Sequence, residues 1–419
     1  MSDLSVQLIA GVVKVLFIIA LVVLMFAPVL TLAERKISSW MQDRIGPNRA
    51  HFFKVGGKPF VAGGLFHTMA DALKMFAKEW TTPDAADKLL FNLAPVVAVF
   101  PSLLMFAVLP FGPPVTIGGH IISLQIANVN VGVLFIFALG SLGVYGAALA
   151  GWASNNKLAL LGALRASAQS ISYEVTFGLT LVGLMMLFQT VQIDHIVEAQ
   201  SGLLWGFLPK WGIIMQPLGF VLFFTAALAE NKRIPFDLPE GESEIIGYFV
   251  EYSSMGFGLF MTGEFIEMVV IAFLTTTLFL GGYLIPGLTN QSVVSTFEHV
   301  VSHEPATWLA AMVGFGVFFV KVVIMLFLQF VVRWALPRFR YDQLMRLGWK
   351  YMLPLSLANL MVTGAAILLD PTDGAVGAIG LVTIGIFILS LFYTGTPAAA
   401  QAIHHDPHDG AHDAHATAH

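Results

Sequence analysis

The side chains with the most chemistry to offer are carboxylates, and they gather where apolar residues dominate. The stretch AENKRIPFDLPEGESE, Ala229 to Glu244, holds five: Glu230, Asp237, Glu240, Glu242 and Glu244. Glu251 opens the apolar run that follows, and Glu264 and Glu267 lie near its middle. On a helix these last two are i, i+3 neighbours on one face. Close carboxylates can share a proton, and a group poised that way takes up and releases protons. Glu174 lies inside another apolar run, and Lys321 near the middle of a third. Ionisable groups inside a bilayer are costly and mark ion or substrate paths. A static ion pair, such as Lys321 with one glutamate, is the plainer reading. Carboxylates in several spans exceed what one lysine can balance.

The elements that must carry these groups are membrane spans. The chain has 419 residues, 57% hydrophobic and 11% charged, with a mean hydropathy of +0.79. Soluble domains carry about 25% charged residues. This composition cannot cover a water-facing surface, so the fold class is all-α, a polytopic membrane protein. A span needs about 20 apolar residues. Nine candidates meet or approach that length: 7–33, 89–110, 129–151, 171–190, 214–230, 252–282, 307–332, 352–369 and 377–395. Pro28, Pro95 and Pro101 sit within such runs, where proline kinks a helix. The chain has no cysteine, which excludes thiolate-held clusters, Cys zinc sites and disulfides. No metal site is expected.

The first run is longer than the ~7–15 residues of a signal-peptide core. Its basic pair, Arg35 and Lys36, follows it. This places the N-terminus outside. The loops at 34–88, 152–170, 230–251 and 333–351 then face the cytoplasm and hold eighteen of the 21 Lys and Arg, as the positive-inside rule requires. Lys14 lies near the outer end of the first span and is expected to snorkel. In the first loop, Leu65, Met69, Leu73, Phe76 and Trp80 fall on one helical face, with Asp71, Lys74 and Lys78 on a polar one. The pattern predicts an amphipathic surface helix, or else a packing helix between spans. The tail HHDPHDGAHDAHATAH, at 404–419, is low in complexity and is expected to be disordered.

Five stretches in order carry a family resemblance: AERKISSWMQDRIGPNR (33–49), ADALKMFAKE (70–79), RASAQSISYE (165–174), AENKRIPFDLPEGESE with EYS (251–253), and RWALPRFRYDQLMRLGWKYMLPL (333–355). Over about residues 7–370 the chain resembles the H-type membrane subunit of bacterial NADH:quinone oxidoreductase, respiratory complex I. The resemblance implies a bacterial plasma-membrane subunit at the junction with the peripheral arm, forming much of the quinone tunnel. Carried over by motif, Glu34, Arg35, Arg44, Asp71, Lys74 and Lys78 flank that tunnel. Glu174, Glu230, Asp237, Glu240, Glu242, Glu244, Glu251 and Glu264 form an acidic path for proton coupling, with Lys321 and Arg333 as its basic positions. Glu267 is an additional acid on this path. Residues 51–63 are longer than the family pattern, and Gly263 and Phe265 replace its usual Ala and Tyr.

The implied substrate is ubiquinone or menaquinone. The implied partners are the peripheral-arm iron–sulfur and quinone-site subunits, small and antiporter-like membrane-arm subunits, and membrane lipid, with no nucleic acid. The sequence carries no dinucleotide fingerprint, haem motif or cluster ligand, so flavin, iron–sulfur clusters and metal are expected in partners. The expected organisation is a core at 1–370, an additional C-terminal helix at 371–399 and a His-rich tail at 400–419. An energy-converting hydrogenase subunit would share the fold and acidic path, and a stand-alone cation/proton transporter would also use buried Glu and Lys. The long basic first loop and the acidic third loop look more like a docking face for another protein.

Overall fold

The computed structural model describes residues 3–394 apart from 52, 56–57, 240, 242–246, 300 and 371–372. Glu240, Glu242, Glu244 and the His-rich tail therefore lie outside the described residues. Among the described residues the molecule is helical, with three two-stranded hairpins in its loops.

Helix α1 (Asp3–Ile19) passes through a π-helical stretch (Ala20–Phe26) into α2 (Ala27–Met41). The first loop holds the β1–β2 hairpin (Lys54–Val55, Lys58–Pro59) and α3 (Leu65–Ala77). Then come α4 (Lys88–Met105), the β3–β4 hairpin (Val115–Ile117, His120–Ile122), α5 (Gly132–Ala153) and α6 (Lys157–Phe188). A short α7 (Ile193–Ala199), the β5–β6 hairpin (Leu203–Leu204, Leu208–Pro209), α8 (Gly212–Met215) and α9 (Pro217–Glu230) follow. The chain continues through α10 (Ser254–Phe279), α11 (Asn290–Glu298), α12 (His303–Ala335) and α13 (Tyr341–Arg346). A second π-helical stretch (Leu347–Met352) leads into α14 (Leu353–Leu369), and α15 (Gly374–Thr394) comes last.

Among the described residues, seven helices are long and apolar enough to cross a membrane. Two shorter apolar ones, Pro217–Glu230 and Gly374–Ser390, complete the nine expected segments. The protein is thus an all-α polytopic membrane protein. Both π-helical stretches end two residues before a proline, Pro28 and Pro354. Proline lacks an N–H and crowds the carbonyl four residues back. Widening the preceding turn relieves that crowding.

Helix α10 is the axis of the bundle. Every residue from Met268 to Phe279 is buried, as expected of a helix apolar all round. It packs against α4, α12 and the α1–α2 rod. Helix α9 has 14 residues and so spans about 21 Å, less than the ~30 Å hydrocarbon core. It is a half-helix that starts at the Gln216–Pro217 break and ends at Glu230.

Three expected boundaries move. The first span was expected to end at residue 33, but α2 continues to Met41. The fourth span was expected to start at residue 171, but α6 begins at Lys157, capped by the Asn156 side chain. The polar run RASAQSIS stays helical, with the Gln169 amide and the Ser167 and Ser172 hydroxyls bonded within the bundle and Gln169 Oε1 and Ser170 Oγ unbonded among the described residues. Gln169 is fully buried and donates to the Ala229 and Phe236 carbonyls at 2.7 and 2.8 Å. Likewise α14 is continuous with α13, back to Tyr341. Helix α3 forms over Leu65–Ala77 as the periodicity predicted, but Lys78 turns to extended backbone, so Lys78 and Trp80, expected on its faces, lie past its end. Its apolar face stays uncovered, with Leu73 60% and Phe76 71% exposed, so the membrane-surface reading is the better one.

Candidate functional site

The acidic residues meet where α2, α6, α9, α10 and α12 converge on the loop after Glu230. Helix α9 ends there, and Pro235 prevents its continuation. Gln169 holds both sides of the turn through the Ala229 and Phe236 carbonyls. The turn between them delivers Arg233 inward, its side chain only 7% exposed.

Arg233 is the hub. Its Nη1 donates to Glu34 Oε2 at 2.7 Å. Its Nη2 lies 3.6 Å from Glu264 Oε2. The guanidinium stands 4.4 Å from the centre of the Phe265 ring, within cation–π range. Glu34 also receives Arg333 Nη2 at 3.0 Å. One carboxylate on α2 is thereby shared by two arginines, and one of those reaches the carboxylate of Glu264 on α10. Such charge-assisted pairs are strong in a low-dielectric setting.

Asp237 lies beside this hub in the loop, where Arg338 Nη2 donates to its Oδ2 at 2.8 Å. Burial pushes its carboxyl up to about 6, and neighbouring Glu264 pushes the same way. Arg338 and Arg333 pull it down but do not prevail. Its Oδ1 is buried without a hydrogen-bond partner among the described residues.

A second group surrounds a small, partly open cavity between α4, α5, α6 and α10. Glu230, Glu267, Ser102, Ser170 and Lys232 are among its lining residues. Ser102 donates to Glu267 at 3.3 Å. Helix α5 presents glycine here. A Cβ at Gly140 would sit 3.1 Å from Glu230 Oε1, so any larger residue would press on that carboxylate. Nearby, Ser141 hydrogen-bonds Glu174, and Asn156 donates to Glu251 at 2.6 Å.

Glu264 and Glu267 thus do not act as an adjacent pair with common partners. Glu264 turns toward Arg233, and Glu267 toward the cavity. Arg35 pairs with Asp71 at 2.6 Å, joining α2 to α3 on the surface. The Arg44 side chain bonds only to Gln42 among the described residues, and Lys74 and Lys78 are exposed. Lys321 stands apart from the acids. It donates to the backbone carbonyls of Leu280, Gly282 and Leu284.

Residues 13–364 match a family described as NADH dehydrogenase. The chain belongs to that family. It is 45% identical over 359 residues to an H subunit of NADH-quinone oxidoreductase from Cytophaga hutchinsonii, covering 85% of this chain and 96% of the relative. It is 46% identical over 354 residues to an H subunit of the same oxidoreductase from Geobacter metallireducens, covering 84% and 95%. With the H subunit of Flavobacterium johnsoniae the identity is 39% over 367 residues, covering 87% and 97%. The NADH dehydrogenase match ends before α15, which packs beside α8, α9 and α14.

Sequence reasoning passed over Arg233, Arg338, Gln169, Ser102 and Asn156. A signal existed for the first: the loop with five acids also holds Lys232 and Arg233, and buried acids need a counter-charge. The others are neutral or distant in sequence and reach the site only through folding.

Proposed function

We propose that the chain is the membrane subunit of a proton-translocating NADH:quinone oxidoreductase. It forms much of the quinone tunnel and couples quinone reduction to proton translocation through buried carboxylates. The observation that carries this reading is the Arg233 bridge between Glu34 on α2 and Glu264 on α10. The names of the relatives point the same way.

In this reading Glu34, Arg35, Arg44, Asp71, Lys74 and Lys78 flank the tunnel, with ubiquinone or menaquinone as substrate. Electrons arrive from cofactors in peripheral-arm partners, and antiporter-like subunits continue the membrane arm. Reduction of the quinone takes up two protons and changes the charge near α2. Glu34 is held by two arginines, so a change there redistributes Arg233 between Glu34 and Glu264. The field then acts along α10 on Glu267 and, across the cavity, on Glu230 and Glu174. Asp237 and the acids at 240, 242 and 244 belong to one stretch of the sequence. The N-terminus is outside, and the charged loops face the cytoplasm of a bacterial plasma membrane.

The test is Glu230→Gln in the assembled complex, reconstituted into vesicles. Protons moved per NADH oxidised should fall at least about twofold, while uncoupled electron transfer to quinone persists. An unchanged ratio would overturn the assignment of Glu230 to the path.

A further inference from the structure

Lys321 sits in a setting of its own. Its ammonium nitrogen lies 2.7, 2.9 and 2.7 Å from the carbonyl oxygens of Leu280, Gly282 and Leu284. An ammonium has three N–H donors, so all are used, and none is left for a carboxylate. The open face of the group is covered by the Trp211 ring, whose centre is 4.4 Å away, a cation–π distance. Among the described residues, Lys321 forms no ion pair.

The carbonyls converge because of the sequence FLGGYL at 279–284. Gly281 and Gly282 have φ of 71° and 54°, in the region that favours glycine. This left-handed pair curls the chain just past the end of α10, and Gly282 N closes the curl on Thr276 O at 2.9 Å. A Cβ at Gly281 would also fall 2.6 Å from Trp211 Nε1. The end of a helix carries partial negative charge, which favours a cation there. Gln200 binds the same corner, accepting from the Gly212 and Gly281 amides at 3.2 and 3.0 Å.

We propose that the carbonyls of Leu280, Gly282 and Leu284, closed by Trp211, form a monovalent-cation site occupied by a tethered ammonium. In that role Lys321 is a positioning residue. It fixes the C-terminal end of α10 against α12 and α8, and it does not hand protons to the acidic path. Ring carbonyls at this spacing suit a small cation such as ammonium, methylammonium or potassium, which exchange water for carbonyl oxygen. The inference stands independently of the quinone reading, since its main readout is stability.

The experiment is Lys321→Ala in the complete assembly, followed by thermal unfolding and amide exchange over residues 280–284. The variant should melt earlier and exchange at least about tenfold faster there. Methylammonium should restore much of both losses, and tetramethylammonium at equal ionic strength should not, having no N–H and too large a radius. Equal effects of the two ions, or no loss in the variant, would overturn the proposal. Should the variant fail to assemble, the wild-type assembly decides with a small amine-reactive reagent. Lys321 should stay unmodified while exposed Lys157 reacts, and comparable labelling of the two would overturn the proposal.

Discussion

At the scale of single residues, burial decides how each charge behaves. Asp237 shows the balance most clearly. Arg338 lies 2.8 Å away, yet desolvation wins and the carboxyl is raised from 3.8 to about 6. A raised carboxyl means that the folded chain holds the proton more tightly than the unfolded chain. The resulting stability is present in full below about pH 4 and is lost as pH rises through about 6. A rise of that size corresponds to about 3 kcal/mol. Asp237→Asn cannot ionise and removes this dependence. Melting temperatures of wild type and Asp237→Asn should therefore diverge between about pH 4 and pH 6, the wild type losing ground as pH rises. Parallel curves across that range would show that Asp237 does not titrate there. The acid was visible in the sequence, but its partner Arg338 lies a hundred residues on, and only the fold reveals how little water reaches the Asp237 carboxyl.

At the scale of elements, the half-helix α9 and the bent loop after it depend on α6. Gln169 is the link, and its amide donates to two buried carbonyls, Ala229 and Phe236. Gln169→Leu keeps the volume and removes both donors. Both carbonyls keep a backbone donor, from Lys232 and Leu238, so the loss is that of two side-chain hydrogen bonds and the variant should be less stable by roughly 1–3 kcal/mol. Amide exchange should speed up across residues 229–239, where Glu230 and Arg233 are held. Unchanged exchange in that segment would show that Pro235 and neighbouring packing hold the turn unaided. This junction also explains a misplaced boundary. Hydropathy placed the start of the fourth span at residue 171, after RASAQS, because those side chains are polar. Helix α6 continues through them, with the Gln169 amide and the Ser167 hydroxyl bonded within the bundle, information that hydropathy does not carry. Helix α3 was legible for the opposite reason: its periodicity is strong, and its apolar face is largely exposed at Leu73 and Phe76.

At the scale of the whole molecule, the nine apolar segments were readable because a bilayer imposes one length and one composition on any helix that crosses it. Their mutual arrangement was not readable, since Glu34, Arg233, Glu264 and Arg333 come from four distant places in the chain. Sidedness rests on charge alone. The four loops proposed to face the cytoplasm carry eighteen of the 21 Lys and Arg, the asymmetry on which the proposed orientation rests. The chain offers its own test, because it has no cysteine to give background labelling. Ile121, on the β3–β4 hairpin, is 79% exposed, and Lys157 at the start of α6 is exposed on the opposite side of the bundle's connections. A membrane-impermeant thiol reagent added to intact cells should label Ile121→Cys and leave Lys157→Cys untouched. Inverted vesicles should reverse the pattern. The opposite result would turn the acidic loop outward, away from any cytoplasmic electron-donating partner. The carboxylates around Arg233 could not then respond to quinone chemistry from that side.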